Sequence, residues 1–339
     1  MDIFTHIALG AQVLFTPLNL FFCFVGVLMG TLVGVLPGLG PTAAIALLLP
    51  NTFHVSPVTA IIMLAGIYYG AMYGGSTTSI LVNIPGEAAS VITCLDGYKM
   101  ALNGRAGPAL GIAAFGSFIA GTVSIIGLML VAPPLAKFAL AFGPPEYFSL
   151  MLLGIIILIY LASGSILKAL MMFVFGLLLS TIGMDAISGT QRLTFGLLEL
   201  SDGVGLIPAI MGLFGVAEVI ANVEEEIKRT VISTKLKNLL PNLQDWMDSF
   251  WPILRGSVLG FFIGILPGPA PVISAFSSYA IEKKISKHPE KFGTGVIEGV
   301  AGPEAANNAA TGGAFIPLFT LGIPVNSVIA ILQIGRAHV

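Results

Sequence analysis

The chain has 339 residues, of which 56% are hydrophobic and 9% are charged, and its mean hydropathy is +0.96. Soluble domains carry roughly a quarter charged residues, so this composition excludes an ordinary soluble protein. The formal net charge of -2 is spread over few residues and offers no basic face for DNA or RNA. We therefore expect a membrane protein with no nucleic-acid partner.

Apolar stretches long enough to cross a bilayer follow one another along the chain. A helix of about 20 apolar residues spans the hydrocarbon core, so the pattern predicts an all-α polytopic protein. Candidate spans lie near residues 18–36, 58–75, 108–133, 146–162, 165–184, 204–221 and 250–266. No cleavable signal is expected, because its first segment should be basic and the first Lys or Arg is Lys99. Cys23 and Cys94 suit neither a structural disulfide nor a metal site.

A pattern of glycines and prolines occurs twice with identical spacing. The first copy is Gly26-x-x-x-Gly30-x-x-x-Gly34-x-Leu36-Pro37-Gly38-x-x-Pro41, and the second is Gly256-x-x-x-Gly260-x-x-x-Gly264-x-Leu266-Pro267-Gly268-x-x-Pro271. Proline removes a backbone donor and glycine tolerates almost any dihedral, so a helix should end at each Pro-Gly step. The match predicts duplicated repeats with paired broken helices. We expect them to be inverted, the commoner arrangement in secondary transporters.

Polar and basic segments divide the chain. Short cytoplasmic loops are rich in Lys and Arg, which places three segments in the cytoplasm: the loop with Lys99 and Arg105, residues 222–249, and the basic run 283–291. The predicted organisation is a first membrane repeat at 1–221, a cytoplasmic linker at 222–249 and the start of a second repeat at 250–333. Residues 250–281 are too few for two crossings, so re-entrant arms are expected after Pro267 and at 38–50.

The glycine ladders and the Pro-Gly breaks predict different roles. Small residues four apart let helices approach closely in lipid, so we interpret the ladders as packing faces. Non-helical backbone at membrane depth survives only where protein covers it or where it lines a watery cavity. Broken helix ends aim N–H groups at an anion or C=O groups at a cation, which makes the two breaks candidate binding elements. A simple kink or interfacial turn is the alternative.

Two polar islands interrupt the apolar sequence, at residues 73–87 and 302–326. In the second island, Glu304 is notable because a carboxylate near the bilayer centre is costly unless it is partnered or hydrated. If residues 304–311 are helical, Glu304, Asn307 and Asn308 share one face that could hold Na⁺ or carry a proton. A loop outside the membrane is the alternative. We expect Glu87, in the first island, to be solvated.

Several ordered motifs together resemble the large membrane subunit of tripartite tricarboxylate transporters. They are Gly34-Val-Leu-Pro-Gly-Leu-Gly-Pro41, Tyr69-Gly-Ala-Met-Tyr-Gly-Gly-Ser-Thr-Thr-Ser79, Asn83-Ile-Pro-Gly86, Leu95-Asp-Gly-Tyr98, Gly302-Pro-Glu-Ala-Ala-Asn-Asn308 and Gly322-Ile-Pro324. The resemblance implies a multi-pass carrier of the bacterial inner membrane that takes tricarboxylates such as citrate, or related carboxylates, from a periplasmic solute-binding protein. It also implies a small membrane subunit as partner, and Na⁺ or H⁺ as the coupling ion with no other cofactor.

On this reading, carboxylate recognition relies on helix N-termini after the breaks, on hydroxyls and on amides. The expected substrate-binding residues are Pro37, Gly38, Gly40, Pro41, Thr42, Ser76, Thr77, Thr78, Asn83, Pro267 and Gly268. The expected cation-coupling residues are Glu304, Asn307 and Asn308. Few cations stand in the apolar sequence besides Lys168 and Arg255, so the coupling ion is expected to balance the substrate charge.

Functions of two other classes are alternatives to transport by a carrier. A membrane-embedded enzyme is disfavoured, because the four histidines lie in no hydrolase or zinc motif. A passive channel or a non-transporting assembly subunit remains an alternative, since pores also use broken helices. Members of the resembled family continue well beyond the second repeat, whereas this chain ends soon after Pro324. We interpret residues 334–339 as a non-native tail on a truncated fragment.

Overall fold

The computed structural model describes residues 3–36, 39–139, 143, 145–146, 148–149, 152, 165–184, 190–201, 203–204, 220 and 240–337. The α-helices are α1 (Ile3–Leu14), α2 (Pro17–Gly34), α3 (Gly40–Leu48), α4 (Pro57–Val82), α5 (Val91–Thr93), α6 (Ala106–Ala139), α7 (Ile166–Ser180), α8 (Leu243–Ile265), α9 (Ala270–Ile285), α10 (Glu298–Leu321) and α11 (Ser327–Ala337). Two short strands, β1 (Gly183–Met184) and β2 (Gln191–Arg192), pair antiparallel, with Gly183 opposite Arg192.

Shorter helical turns join some of these elements. They are the 3₁₀ segments Leu49–His54, Ala88–Ser90, Leu198–Leu200 and Pro289–Lys291, and the π-helical segments Cys94–Tyr98 and Ala101–Arg105. The 3₁₀ segment Ala88–Ser90, helix α5 and the two π-helical segments connect α4 to α6. The chain is therefore mostly helical in its described part.

Among the described residues, three helical segments are long and apolar enough to cross a bilayer: Pro17–Gly34, Pro57–Val82 and Ala101–Lys137. They match the predicted spans at 18–36, 58–75 and 108–133, so the membrane-protein prediction is confirmed. The predicted span at 165–184 contains the 15-residue helix α7, and the one at 250–266 overlaps α8. The spans predicted at 146–162 and 204–221, and the linker up to residue 239, lie almost entirely outside the described residues.

Local sequence explains where the main helices begin and end. Pro57 occupies the first turn of α4, and the preceding Ser56 side chain accepts the Thr59 N–H at 3.3 Å. Asn242 caps α8 by accepting the Asp245 N–H at 2.9 Å, while the Asp245 carboxylate accepts the Asn242 N–H at 3.0 Å. Side-chain acceptors satisfy N–H groups that have no partner within the helix, which fixes both starting points.

The first glycine ladder packs α2 against α4 at backbone distance. A Cβ added to Gly26, Gly30 or Gly34 would lie 2.3, 2.2 or 2.2 Å from the carbonyl oxygen of Met63, Ile67 or Ala71, respectively. Real Cβ atoms cannot approach a carbonyl so closely, so only glycine permits this contact. The packing role that the sequence predicted for these glycines is present in the structure.

The second ladder makes the equivalent contact between α8 and α10. A Cβ on Gly256, Gly260 or Gly264 would lie 2.4, 2.1 or 2.3 Å from the carbonyl oxygen of Gly302, Ala306 or Ala310. Helix α10 is composed mainly of small residues and is buried from Gly299 to Leu318. It packs against α8, α6, α9 and α4, and therefore forms the centre of the described structure.

Both Pro-Gly patterns coincide with the end of one helix and the start of another. Helix α2 ends at Gly34 and α3 begins at Gly40, and α8 ends at Ile265 and α9 begins at Ala270. Helices α3 and α9 contain 9 and 16 residues. At about 1.5 Å per residue, both are shorter than the roughly 30 Å hydrocarbon core. Their lengths suit the arms expected after the breaks.

We expect Gly260→Ala to destabilise the protein by about 1–3 kcal/mol, because the added methyl forces α8 away from α10. Thermal unfolding in detergent measures this change. The control is Gly176→Ala in α7, where a Cβ meets no atom of the described residues within 4 Å. This control should leave the unfolding temperature unchanged or slightly higher, since alanine favours helix more than glycine does. An unchanged unfolding temperature in Gly260→Ala would contradict the close packing.

Candidate functional site

The N-terminal ends of α3, α9 and α11 meet at a cavity of about 560 Å³. Its wall is formed by residues of both helix breaks, by the segment 85–88 that follows α4, and by Tyr68 and Met72 of α4 itself. The helix ends converge because each follows a Pro-containing break at which the chain turns. The cavity is therefore the place where the non-helical backbone of the two halves comes together.

The cavity presents groups that favour an anion. A helix N-terminus carries partial positive charge, and residues of the first turns of α3, α9 and α11 line this space. In α9 the N–H groups of Ala270 and Val272 donate to the carbonyls of Gly268 and Pro269 at 2.8 and 3.0 Å, so this helix contributes its dipole rather than free N–H donors. The hydroxyls of Thr42 and Ser327 lie 3.4 Å apart across it. Asn326 accepts the Ile329 N–H at 2.9 Å, and its buried Nδ2 has no hydrogen-bond partner among the described residues. None of the described residues that line the cavity is Lys, Arg or His.

Glu87 also lines the cavity and is only partly exposed. One carboxylate oxygen accepts the Ala89 N–H at 2.5 Å, which caps the 3₁₀ turn Ala88–Ser90. The other, Oε1, is buried and has no partner in the described part of the chain. The expectation that Glu87 is solvated was wrong for this oxygen, because the segment 85–88 folds back against Gly75 of α4.

The predicted substrate-binding residues fall into separate places. Gly40, Pro41 and Thr42 line the cavity. Pro267 and Gly268 lie in the second break outside its lining, and the Gly268 N–H donates to the Val325 carbonyl at 2.9 Å. Pro37 and Gly38 lie outside the described residues.

The remaining members of that set belong to α4 and its end. The hydroxyls of Thr77 and Thr78 donate to carbonyls of their own helix, those of Tyr73 at 3.2 Å and Gly75 at 3.0 Å. Asn83 ends α4 in the left-handed conformation, with φ of 58°. Ser76 points to Glu304. The structure therefore does not bring these residues together with Gly40, Pro41 and Thr42.

Glu304 is buried at the contact of α10 with α4 and α5, with 1% of its surface exposed. The Ser76 hydroxyl donates to its Oε2 at 2.6 Å, and the Thr93 hydroxyl donates to its Oε1. Glu304 therefore lies in a buried helix and not in a loop, while its position near the bilayer centre stays a prediction. Sequence reasoning missed Thr93, because nothing local in the sequence brings residue 93 to residue 304.

Asn307 and Asn308 point in different directions. Asn308 donates through Nδ2 to the Ser117 hydroxyl of α6 at 2.7 Å and to the carbonyl of Glu304 at 3.0 Å. Asn307 is 1% exposed, and neither its Oδ1 nor its Nδ2 has a hydrogen-bond partner among the described residues. Of the predicted common face, Glu304 is bonded to α4 and α5 whereas Asn308 is bonded to α6.

The described ion pairs lie away from Glu304. Arg105 pairs with Asp245, His288 lies 3.2 Å from Glu290, and Arg255 makes a two-pronged contact with Glu282 at 2.8 and 2.5 Å. Because Arg255 is paired with Glu282, this ion pair joins α8 to α9. Within the described ranges, no group of three or more His, Cys, Asp or Glu residues could hold a metal ion.

Asp96 forms a second buried carboxylate centre that sequence reasoning did not single out. It is fully buried, and its Oδ1 accepts the N–H groups of Gly293, Gly295 and Val296 at 3.0, 2.8 and 2.9 Å. The Tyr279 hydroxyl donates to Oδ2 at 2.9 Å. The φ values of Gly293 and Gly295 are +90° and +111°, which turns successive N–H groups inward. Asp96 thus fixes the loop that leads into α10.

Residues 20–337 match the model of the tripartite tricarboxylate transporter TctA family. Curated relatives include two proteins of Agrobacterium vitis. An uncharacterized 52.8 kDa protein in TAR-I ttuC' 3'region is 55% identical over 332 residues, covering 98% of this chain and 66% of that relative. An uncharacterized protein in TAR-II ttuC' 3'region is 56% identical over 73 residues, covering 22% of this chain and 30% of that relative. The chain thus spans about two thirds of the first relative's length. No solved structure matches the chain.

We expect Asp96→Asn to destabilise the protein by about 1–3 kcal/mol, because an amide nitrogen replaces an acceptor that faces buried N–H donors. The unfolding temperature should fall, and trypsin should cleave faster near Lys287 and Lys291. The control is Glu290→Gln, because the Glu290 side chain is 66% exposed and its ion pair is with the likewise exposed His288. Equal stability of the two variants would show that the Asp96 contacts do not hold this loop.

Proposed function

Because the chain belongs to the tripartite tricarboxylate transporter TctA family, we propose that it forms the large membrane subunit of a secondary active carboxylate transporter. In this proposal it is a multi-pass protein of a bacterial inner membrane. A periplasmic solute-binding protein delivers a tricarboxylate or a related carboxylate, and a small membrane subunit completes the assembly. A Na⁺ or H⁺ gradient drives uptake. The family consists of transporter components rather than enzymes, so no covalent step is required.

The observation that carries this proposal is the cavity where the N-terminal ends of α3, α9 and α11 meet. In lipid, helix N-termini can replace basic side chains as partners for a carboxylate, because the backbone holds their partial positive charge in a fixed orientation. Gly40, Pro41, Thr42 and Ser327 would contact the substrate carboxylates. An anion held without Lys or Arg is released more readily than one held in a buried ion pair, as a carrier requires.

We also propose that the two halves are repeats of one unit in inverted orientation. Helices α2 and α8 both place three glycines on carbonyl oxygens of their partners, α4 and α10. Helices α4 and α10 both end in a left-handed residue, Asn83 and Gly322, followed by Ile-Pro. Inverted repeats place their broken helices around a common site near the midplane, which suits the cavity described above.

Uptake of radiolabelled citrate and other carboxylates tests the function as a whole. The complete transporter, with its small subunit and binding protein, is reconstituted in proteoliposomes with and without imposed Na⁺ or H⁺ gradients. Accumulation against the substrate gradient is expected only with an ion gradient. Equilibration without accumulation would instead indicate a passive channel, and no movement of any carboxylate would indicate an assembly role.

A charge placed in the cavity tests the site. We expect Ser327→Asp to lower uptake at least about tenfold, since a second carboxylate within a few ångströms of the substrate costs more than 1 kcal/mol in a partly buried setting. The variant should fold, because Asp is favourable at a helix N-terminus. The control variant is Ser327→Asn, whose side chain has nearly the same shape as Asp but no charge. It should retain most uptake. Equal uptake by both variants would place the carboxylate site elsewhere.

A further inference from the structure

Glu304 has hydrogen-bond donors but no positive charge. The hydroxyls of Ser76 and Thr93 donate to its two oxygens, which is the arrangement that an ionised carboxylate favours. An ionised group buried in apolar surroundings requires a counter-charge. No described Lys, Arg or His pairs with Glu304. The buried carboxyl group is therefore satisfied in hydrogen bonding, and in its ionised form it has no counter-charge among the described residues.

Asn307 supplies an independent observation at the same place. It lies three residues after Glu304 on α10, a spacing that puts the two Cβ atoms roughly 5–6 Å apart. Its amide is buried with neither polar atom bonded in the described structure. Native proteins rarely leave such a group unpaired unless water, an ion or a ligand completes it. The Oδ1 of Asn307 is thus a free oxygen ligand beside a carboxylate.

The chemistry of these groups selects among cations. A proton on Glu304 would neutralise its charge but would give Asn307 no partner. A divalent ion would normally recruit more than one carboxylate, and Glu304 is the only one in the group. One carboxylate, two hydroxyls and an amide oxygen match the charge and the hard oxygen ligands of a monovalent alkali ion.

We propose that Na⁺ binds between α4, α5 and α10 with Glu304, Ser76, Thr93 and Asn307 as its oxygen ligands, and that this ion is the coupling ion. The identity of the coupling ion rests on the proposed transport function, whereas the binding site itself does not. Asn308, bonded to Ser117 of α6, is not a ligand. On Na⁺ binding, the two hydroxyls turn their lone pairs to the ion, which then balances the carboxylate.

The site has a consequence for substrate binding. Its ligands come from α4 and α5 in the first half of the chain and from α10 in the second, so a bound ion fixes the contact between them. Helix α4 also carries Tyr68 and Met72, which line the cavity. Na⁺ should therefore hold this wall of the cavity in place and raise the affinity for the carboxylate.

The first test measures ion binding without transport. The purified 339-residue chain is heated in detergent with increasing NaCl at constant ionic strength, with KCl as the balancing salt. A ligand that binds only the folded state raises the unfolding temperature as its concentration increases. We expect Na⁺ to raise it in the wild type and not in Asn307→Ala or Ser76→Ala. Thr320→Ala removes a hydroxyl whose hydrogen bond among the described residues is to the Ile316 carbonyl of its own helix, so this variant should respond like the wild type.

The second test measures coupling in the complete transporter. Uptake should require a Na⁺ gradient, and the Na⁺ concentration for half-maximal uptake should rise at least about tenfold when one ligand is removed in Asn307→Ala. Thr320→Ala should leave that concentration unchanged. If a variant does not fold, comparing Na⁺ with K⁺ on the wild type still decides the question.

The outcomes separate the two proposals. Stabilisation by Na⁺ without any carboxylate uptake would retain the ion site and overturn the transport function. Uptake driven by a pH gradient and insensitive to Na⁺, with no stabilisation by Na⁺, would overturn the ion site and leave the transport function standing. Stabilisation of Asn307→Ala equal to that of the wild type would overturn this ligand set.

Discussion

Contact between helix backbones is the constraint on which the rest of the structure depends. Helix α10 is surrounded by protein, and α8 reaches its carbonyl oxygens because Gly256, Gly260 and Gly264 have no side chains. In lipid, helices associate through such close packing rather than through expulsion of water. A helix enclosed in this way can carry Glu304 and Asn308, because side chains of neighbouring elements bond their polar atoms.

In the proposed function the helix breaks have a different role, which is to hold an anion without fixed cations. Arg255 is paired with Glu282, and no basic side chain of the described residues lines the cavity. The Pro-containing breaks instead direct the positive dipole ends of three helices into the cavity. The same residues that end one helix therefore create the binding capacity of the next. Packing and binding are thus assigned to different parts of each repeated sequence pattern.

Sequence predicted the features that depend on neighbours along the chain. Helices at 18–36, 58–75 and 108–133, close contacts at both glycine ladders and helix ends near Pro37 and Pro267 all follow from hydropathy, residue size and backbone freedom. Features that join distant segments could not be predicted in this way. Asp96 is bound by the N–H groups of residues 293–296, and the Thr93 hydroxyl reaches Glu304. Asn307 and Asn308 look equivalent in the sequence, yet only Asn308 finds a side-chain partner, Ser117 of α6, among the described residues.

One face of α4 connects the cavity to the buried carboxylate. Tyr68, Met72 and Ser76 are spaced four residues apart and so lie on one stripe of the helix. The first two line the cavity, and the third donates to Glu304. A straight helix transmits a rotation or shift along its whole length, so a group bound at one end of this stripe biases the position of the other. The proposed ion site and the cavity therefore share one structural element, through which binding at one could affect the other if α4 has two positions.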